Sequence, residues 1–257
     1  MTEFMRILNI MMRLSAAIIF LALFSSSLPA RCAELVVPGD FATIQEAIDK
    51  SGNGDVVTVL DGVYTGPGNR DIDFQGKVIS IRSRNGPQNC LIDCRGTANE
   101  PHRGFYLHRG EGEGAVIEGF TISNGYAERG GGIYCNGSPT IRGNIIRGNT
   151  AVEGGGICCY EGGMIVGNLI TENQAKRGGG IFTWEDMEPS VINNVINRNR
   201  AELSGGGIAV FDNSPFISGN LIVKNESGQC GGGLYLQSSA ATLTNNTIFG
   251  NSADRGG

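Results

Sequence analysis

Three acidic residues, Glu161, Glu185 and Asp212, recur at intervals of 24 and 27 residues, and each directly follows an aromatic residue, Tyr160, Trp184 or Phe211. Two places before that aromatic column runs another, which carries Tyr134, Phe182 and Tyr235 with Cys158 and Ala209 between them. Alternate residues of a strand share a face, so in an extended segment both columns point the same way. Aromatic faces stacked in this manner offer a flat platform for sugar rings or for a partner surface. Three stacked carboxylates repel one another unless they splay into water or share a hard cation such as Ca²⁺. Tyr134, Tyr160, Phe182, Trp184, Phe211 and Tyr235 are therefore the candidate binding residues. Glu161, Glu185 and Asp212, with Asp186 beside them, are the candidate metal ligands. The plainer alternative packs the aromatics beneath a neighbouring loop and leaves the acids solvated.

Catalysis has fewer candidates. The two histidines, His102 and His108, fall in an irregular stretch between Gly96 and Gly114. Histidine is the usual general base, but a pair in a surface loop is expected to be solvated. Six cysteines follow Ala33: Cys90, Cys94, Cys135, Cys158, Cys159 and Cys230. They allow 15 pairings, and none has the spacing of a zinc site.

What positions these residues is a repeat. From Ala115 the chain repeats I-x-G-N-x-I-x-x-N, a few polar residues, then G-G-G-I. The glycine runs begin at Gly130, Gly154, Gly178, Gly205, Gly231 and Gly256, spaced 24 to 27 residues apart. Aligned, they give three apolar columns. The first is Ile117, Ile141, Ile165, Val191, Ile217 and Leu243; the second is Ile122, Ile146, Ile170, Ile196, Ile222 and Ile248; the third is Ile133, Ile157, Ile181, Ile208 and Leu234. Each column lies in a short run bounded by Gly or Asn, which suits strands. The predicted fold is all-β, a right-handed parallel β-helix with three faces, whose coils bury their Ile residues only against neighbours above and below.

Two Asn columns accompany the Ile columns, Asn144 to Asn246 and Asn149 to Asn251, and are expected as structural amide ladders at left-handed corners. The first repeat carries Phe120 and Gly125 in their place. Cys135 and Cys159 take the same inward position on adjacent coils. Their Cα spacing suits a disulfide, but side chains stacked in register seldom reach its dihedral, so two stacked thiols are expected.

At the start of the stack, Thr43 and Glu46 form a capping box before an apolar face of Ile44, Ala47 and Ile48, which predicts a short helix over the first coil. Residues 34–114 thus form the cap and the first irregular coils, and 115–257 the regular repeats. The pattern is cut at Gly256-Gly257, where another Gly and an Ile are due, so further coils are expected. Residues 1–33 read as a secretory signal peptide: Arg6 and Arg13 precede the apolar run Leu14–Phe24, and cleavage after Ala33 is preferred. Arg31 argues against a lipid anchor on Cys32. Without this segment 17 basic and 24 acidic residues remain, a net charge near −7. Such a chain, with no basic run and no second apolar stretch, is expected to be exported, to lie outside the cell or on its surface, and to bind no nucleic acid.

With these residues in view, the chain resembles right-handed parallel β-helix proteins of the pectin-lyase-like superfamily. The segment Gly39-Asp40-Phe41-Ala42-Thr43-Ile44-Gln45-Glu46-Ala47-Ile48, followed by Gly62-Val63-Tyr64, is similar to the entry segment of pectinesterases. The G-G-G-I and N-x-I-x-x-N repeats are similar to those of chlamydial polymorphic outer-membrane proteins, with Ile where that family has Phe. The resemblance implies a fold more than an activity. The Q-D-T, D-F-I-F-G and G-R-P-W segments of pectinesterases do not occur, nor do the N-T-D, D-D and G-H-G segments of polygalacturonases. The expected function is a non-catalytic, adhesin-like β-helix that binds extracellular polysaccharide or a surface protein. Two alternatives stand beside it: a polysaccharide lyase or hydrolase with an unrecognised or missing site, and a structural stalk. Oligomeric state is left open.

Overall fold

The computed structural model describes residues 32–184 and 188–257. Residues 1–31, on which most of the expected signal peptide falls, and Glu185 with Asp186, lie outside the described residues.

The repeat folds as a parallel β-solenoid. One coil reads Val116–Glu118, Thr121–Ser123, Tyr126–Arg129 and Ile133–Cys135, and each strand pairs in parallel with its counterpart in the next coil. Four ladders result, of nine, eight, five and six strands in that order along the coil. The three Ile columns pair in register, as Ile141↔Ile165, Ile146↔Ile170 and Ile157↔Ile181 show, and their residues are buried through most of the stack.

The five-stranded ladder is a face beyond the three expected. Its inward position is a column of small residues, Ala127, Ala151, Ala175, Ala201 and Ser227, all buried. Apart from Tyr126 and Val152 the residues flanking that column are polar or small, so no column of large apolar side chains marks the strand in the sequence.

The Asn columns form two buried ladders. In the second, the Asn149 backbone N–H and Nδ2 both donate to Asn173 Oδ1 at 3.0 Å, while Nδ2 also donates to Ile122 O at 3.1 Å. The first ladder repeats the scheme from Asn144 to Asn168. The ladder Asn residues are not themselves left-handed. The residue before each one is, whether Gly148 (φ 63°), Glu172 (58°), Arg198 (53°) or Lys224 (55°). The left-handed residue makes the corner, and the next side chain turns in to satisfy backbone groups that the corner has taken off the strand ladders. Where the first repeat lacks both Asn residues, the Phe120 and Gly125 N–H groups still donate to Asn144 and Asn149 Oδ1 from the coil above. Phe120 instead packs in the core against Phe105.

The expected cap is present as helix α1, Ile44–Lys50, with both arms of its capping box formed and Ile44, Ala47 and Ile48 buried on the first coils. Its two reciprocal bonds satisfy otherwise orphaned N–H groups at the helix start.

Candidate functional site

Outside the six-stranded ladder lies a second apolar cluster, separate from the coil interior and made of Cys158, Tyr160, Phe182 and Ala209 with Tyr134, Trp184 and Phe211 packed on it. The ring-to-ring path runs over six coils. Centroids are 5.5 Å apart from Tyr106 to Tyr134, 5.8 Å on to Tyr160, 6.4 Å from Tyr160 to Phe182, 5.4 Å from Phe182 to Phe211 and 5.5 Å on to Tyr235, with Trp184 branching from Tyr160 at 5.4 Å. Strand register explains the path, because Tyr134, Cys158, Phe182, Ala209 and Tyr235 pair successively. Small residues at Cys158 and Ala209 leave room for the larger rings beside them.

The platform is not uniformly open, which corrects the expectation of a fully outward row. Tyr160 is 5% exposed and Phe182 2%, so both lie beneath their neighbours. Tyr134, Trp184, Phe211 and Tyr235 are half-buried and keep ring surface in solvent.

Arginines line one edge. Arg103 lies over Tyr106 at 4.5 Å, Arg129 over Tyr160 at 4.9 Å and Arg177 over Phe211 at 5.9 Å. Arg129 and Arg177 pair with Glu153 on the strand between them, at 3.4 and 3.7 Å, and Tyr160 Oη donates to the same carboxylate at 2.8 Å. Burial, with Cys158 beside it, raises the Tyr160 phenol, so Tyr160 stays a donor. Burial acts the other way on Arg103 and lowers its guanidinium. These arginines were missed in the sequence, although a signal was there. The residue just before each glycine run reads Arg129, Glu153, Arg177, Ser204, Cys230 and Arg255.

The loop histidines have partners. His102 Nδ1 is 2.6 Å from Asp71 Oδ2, and Asp71 Oδ1 accepts from the Arg103 N–H, so this pair ties the loop to the coil. His108 stacks on Tyr106 at 4.2 Å and extends the aromatic path. Of the proposed metal ligands, Glu161 is half-buried and Asp212 sits at a left-handed corner (φ 51°) two coils further on. Their partner Glu185 is outside the described residues. Among the described residues no three His, Cys, Asp or Glu side chains converge as metal ligands.

Cys135 and Cys159 stack in register on adjacent coils, with Cα atoms 4.9 Å apart and sulfur against sulfur. Parallel register alone sets that spacing within disulfide range. Cys158 points the other way and is fully buried; burial, with Glu153 nearby, raises its thiol well above the ordinary range. Burial raises Cys90 to about 12 in the same way. In the folded protein at pH 8, a thiol reagent is therefore expected to label Cys230, which is partly exposed. Cys90, Cys94 and Cys158 should react only after denaturation, as peptide mapping of the two samples would show.

The family model of the right-handed β-helix region matches residues 78–248, and the chain belongs to that family. Among solved structures it is similar to the pectate lyase Pel9A, with 15% identity, a TM-score of 0.48, and coverage of 85% of this chain and 79% of that one. No curated protein matches it. Among the described residues, no helix is long and apolar enough to cross a membrane.

Proposed function

We propose that this chain is an exported, non-catalytic β-helix protein that binds glycan on the aromatic path of its six-stranded ladder. The observation that carries the reading is the half-open ring surface of Tyr134, Trp184, Phe211 and Tyr235, edged by arginines. Neighbouring rings on the path lie 5.4–6.4 Å apart, comparable to one sugar unit of an extended polymer, although the covered Tyr160 puts two coils between the open faces of Tyr134 and Trp184. Sugar faces stack on the rings, and guanidinium N–H groups donate to hydroxyl or acidic oxygens at the edge.

The non-catalytic reading is supported by one carboxylate of this surface, Glu153. Glycoside hydrolysis uses two carboxylates flanking the bond, one as a proton donor. Glu153 is occupied by Tyr160 and two arginines, and it is screened to 15% exposure.

The test is retention of the chain on a panel of neutral and acidic polysaccharides, with and without Ca²⁺, while reducing ends and unsaturated products are monitored. Binding without cleavage is expected. Trp184→Ala should weaken retention about tenfold, or roughly 1.4 kcal/mol, measured well below a thermal midpoint that falls as Tyr160 loses its cover, and Trp184→Phe should partly restore both. Cleavage of any polymer would overturn the non-catalytic reading. Retention unaffected by Trp184→Ala would move the site elsewhere.

A further inference from the structure

The outer face of the eight-stranded ladder carries a feature that glycan binding on the six-stranded ladder does not use. Its first outward column is aliphatic over most of the solenoid. Leu91, Thr121, Ile145, Leu169, Val195 and Leu221 follow one another in register. Part of this column floors a groove of about 580 Å³. At one end the wall is Pro87 and Gln88, held down by the Thr121 hydroxyl, which donates to Pro87 O at 2.6 Å.

The rim is cationic. Arg147 and Arg198 line the groove, and among the described residues neither has a carboxylate within ion-pair distance. Glu172 is the single acid of the lining, on a chain that is otherwise acidic. Asn197 also lines the groove, and its Oδ1 finds no donor.

We propose that this groove holds an extended peptide segment of a partner protein, with apolar residues alternating with Asp or Glu. Aliphatic floors match aliphatic side chains, and no aromatic ring lines the groove to stack a sugar. In an extended chain alternate side chains point to one face, so Leu or Val residues seat on the floor while acids face the rim. Arg147 and Asn197 are two coils apart, roughly 10 Å, and carboxylates at alternate positions of a strand lie within reach of Arg147 and Arg198 together. The groove is recessed between the Pro87 wall and the corner of Arg198, which favours a narrow chain over a flat bilayer.

Labelled octapeptides test this by fluorescence anisotropy on the whole chain: Leu alternating with Glu, Leu alternating with Lys, and Ser alternating with Glu. Saturable binding of the Leu/Glu peptide alone is expected, weakening as salt rises. Arg147→Glu and Arg198→Glu should each weaken it at least tenfold, and Leu169→Ser similarly, with thermal midpoint and glycan retention unchanged. Equal binding of the Leu/Lys peptide, no saturable binding of Leu/Glu, or indifference to the arginine variants would overturn the proposal. So would capture of phosphatidylglycerol vesicles that the Leu/Glu peptide fails to displace.

Discussion

Asn173→Leu is expected to cost more than about 4 kcal/mol, a large share of the stability of a typical domain, although the two side chains are close in size. Asn173 Oδ1 accepts two hydrogen bonds from Asn149, through its backbone N–H and Nδ2, both at 3.0 Å. Its own Nδ2 donates to Ile146 O at 2.9 Å and to Asn199 Oδ1 at 3.0 Å. All of these atoms are buried, so leucine strands donors of the coil below and acceptors of the coils on both sides. Each buried orphan costs about 1–3 kcal/mol, against a typical total stability of about 5–15 kcal/mol. The added apolar side chain returns less than this, because it sits at a corner among amides. Thermal denaturation followed by circular dichroism decides the matter. A midpoint within a few degrees of the parent would mean that the ladder is decorative.

That ladder was legible in the sequence because each Asn is both a structural part and a repeated letter. The same holds for the Ile columns, where a coil's inward residue must match those above and below it. Three features were hidden for physical reasons. Ala151 and Ala175 mark a strand with side chains too small to stand out as an apolar column, so the five-stranded ladder was not foreseen. The corner residue precedes the ladder Asn, and its identity varies from Gly148 to Glu172 to Arg198, because a left-handed φ is imposed by the turn and tolerated by the side chain. Tyr160 and Phe182 do lie outside the coil, as alternation requires, yet neighbours from other coils cover them. Facing outward is a property of one strand, whereas exposure depends on what adjacent strands place above it. The arginines were missed for a related reason. Arg129 meets Glu153 on the next strand of its own ladder but reaches Tyr160 from a different ladder and coil, a meeting that only the three-dimensional winding brings about.

Gly179→Ala is expected to be at least as damaging as the loss of a ladder Asn, although it adds one methyl group. Gly179 has ordinary negative φ, so backbone preference is not the reason for glycine. A Cβ there would lie 2.5 Å from Arg200 O and 2.6 Å from Gly206 O, both backbone atoms of the next coil. Neither can move aside without parting the coils. That would lengthen the bonds from Gly178 N–H to Ser204 O, Gly179 N–H to Gly205 O and Gly180 N–H to Gly206 O, now 3.0–3.1 Å. Overpacking of this kind costs on the order of 3 kcal/mol even in a core whose side chains can shift, and here the obstacle is main chain. Gly167→Ala is the control, because it is glycine for the opposite reason. Its φ is +65° and a Cβ would meet nothing within 4 Å, so alanine there costs only about 1 kcal/mol of left-handed strain. If steric contact between coils explains the glycine triplet, urea unfolding will separate the two variants widely. If Gly167→Ala proves equally destabilising, positive φ and not coil-to-coil approach is what the solenoid demands of its glycines.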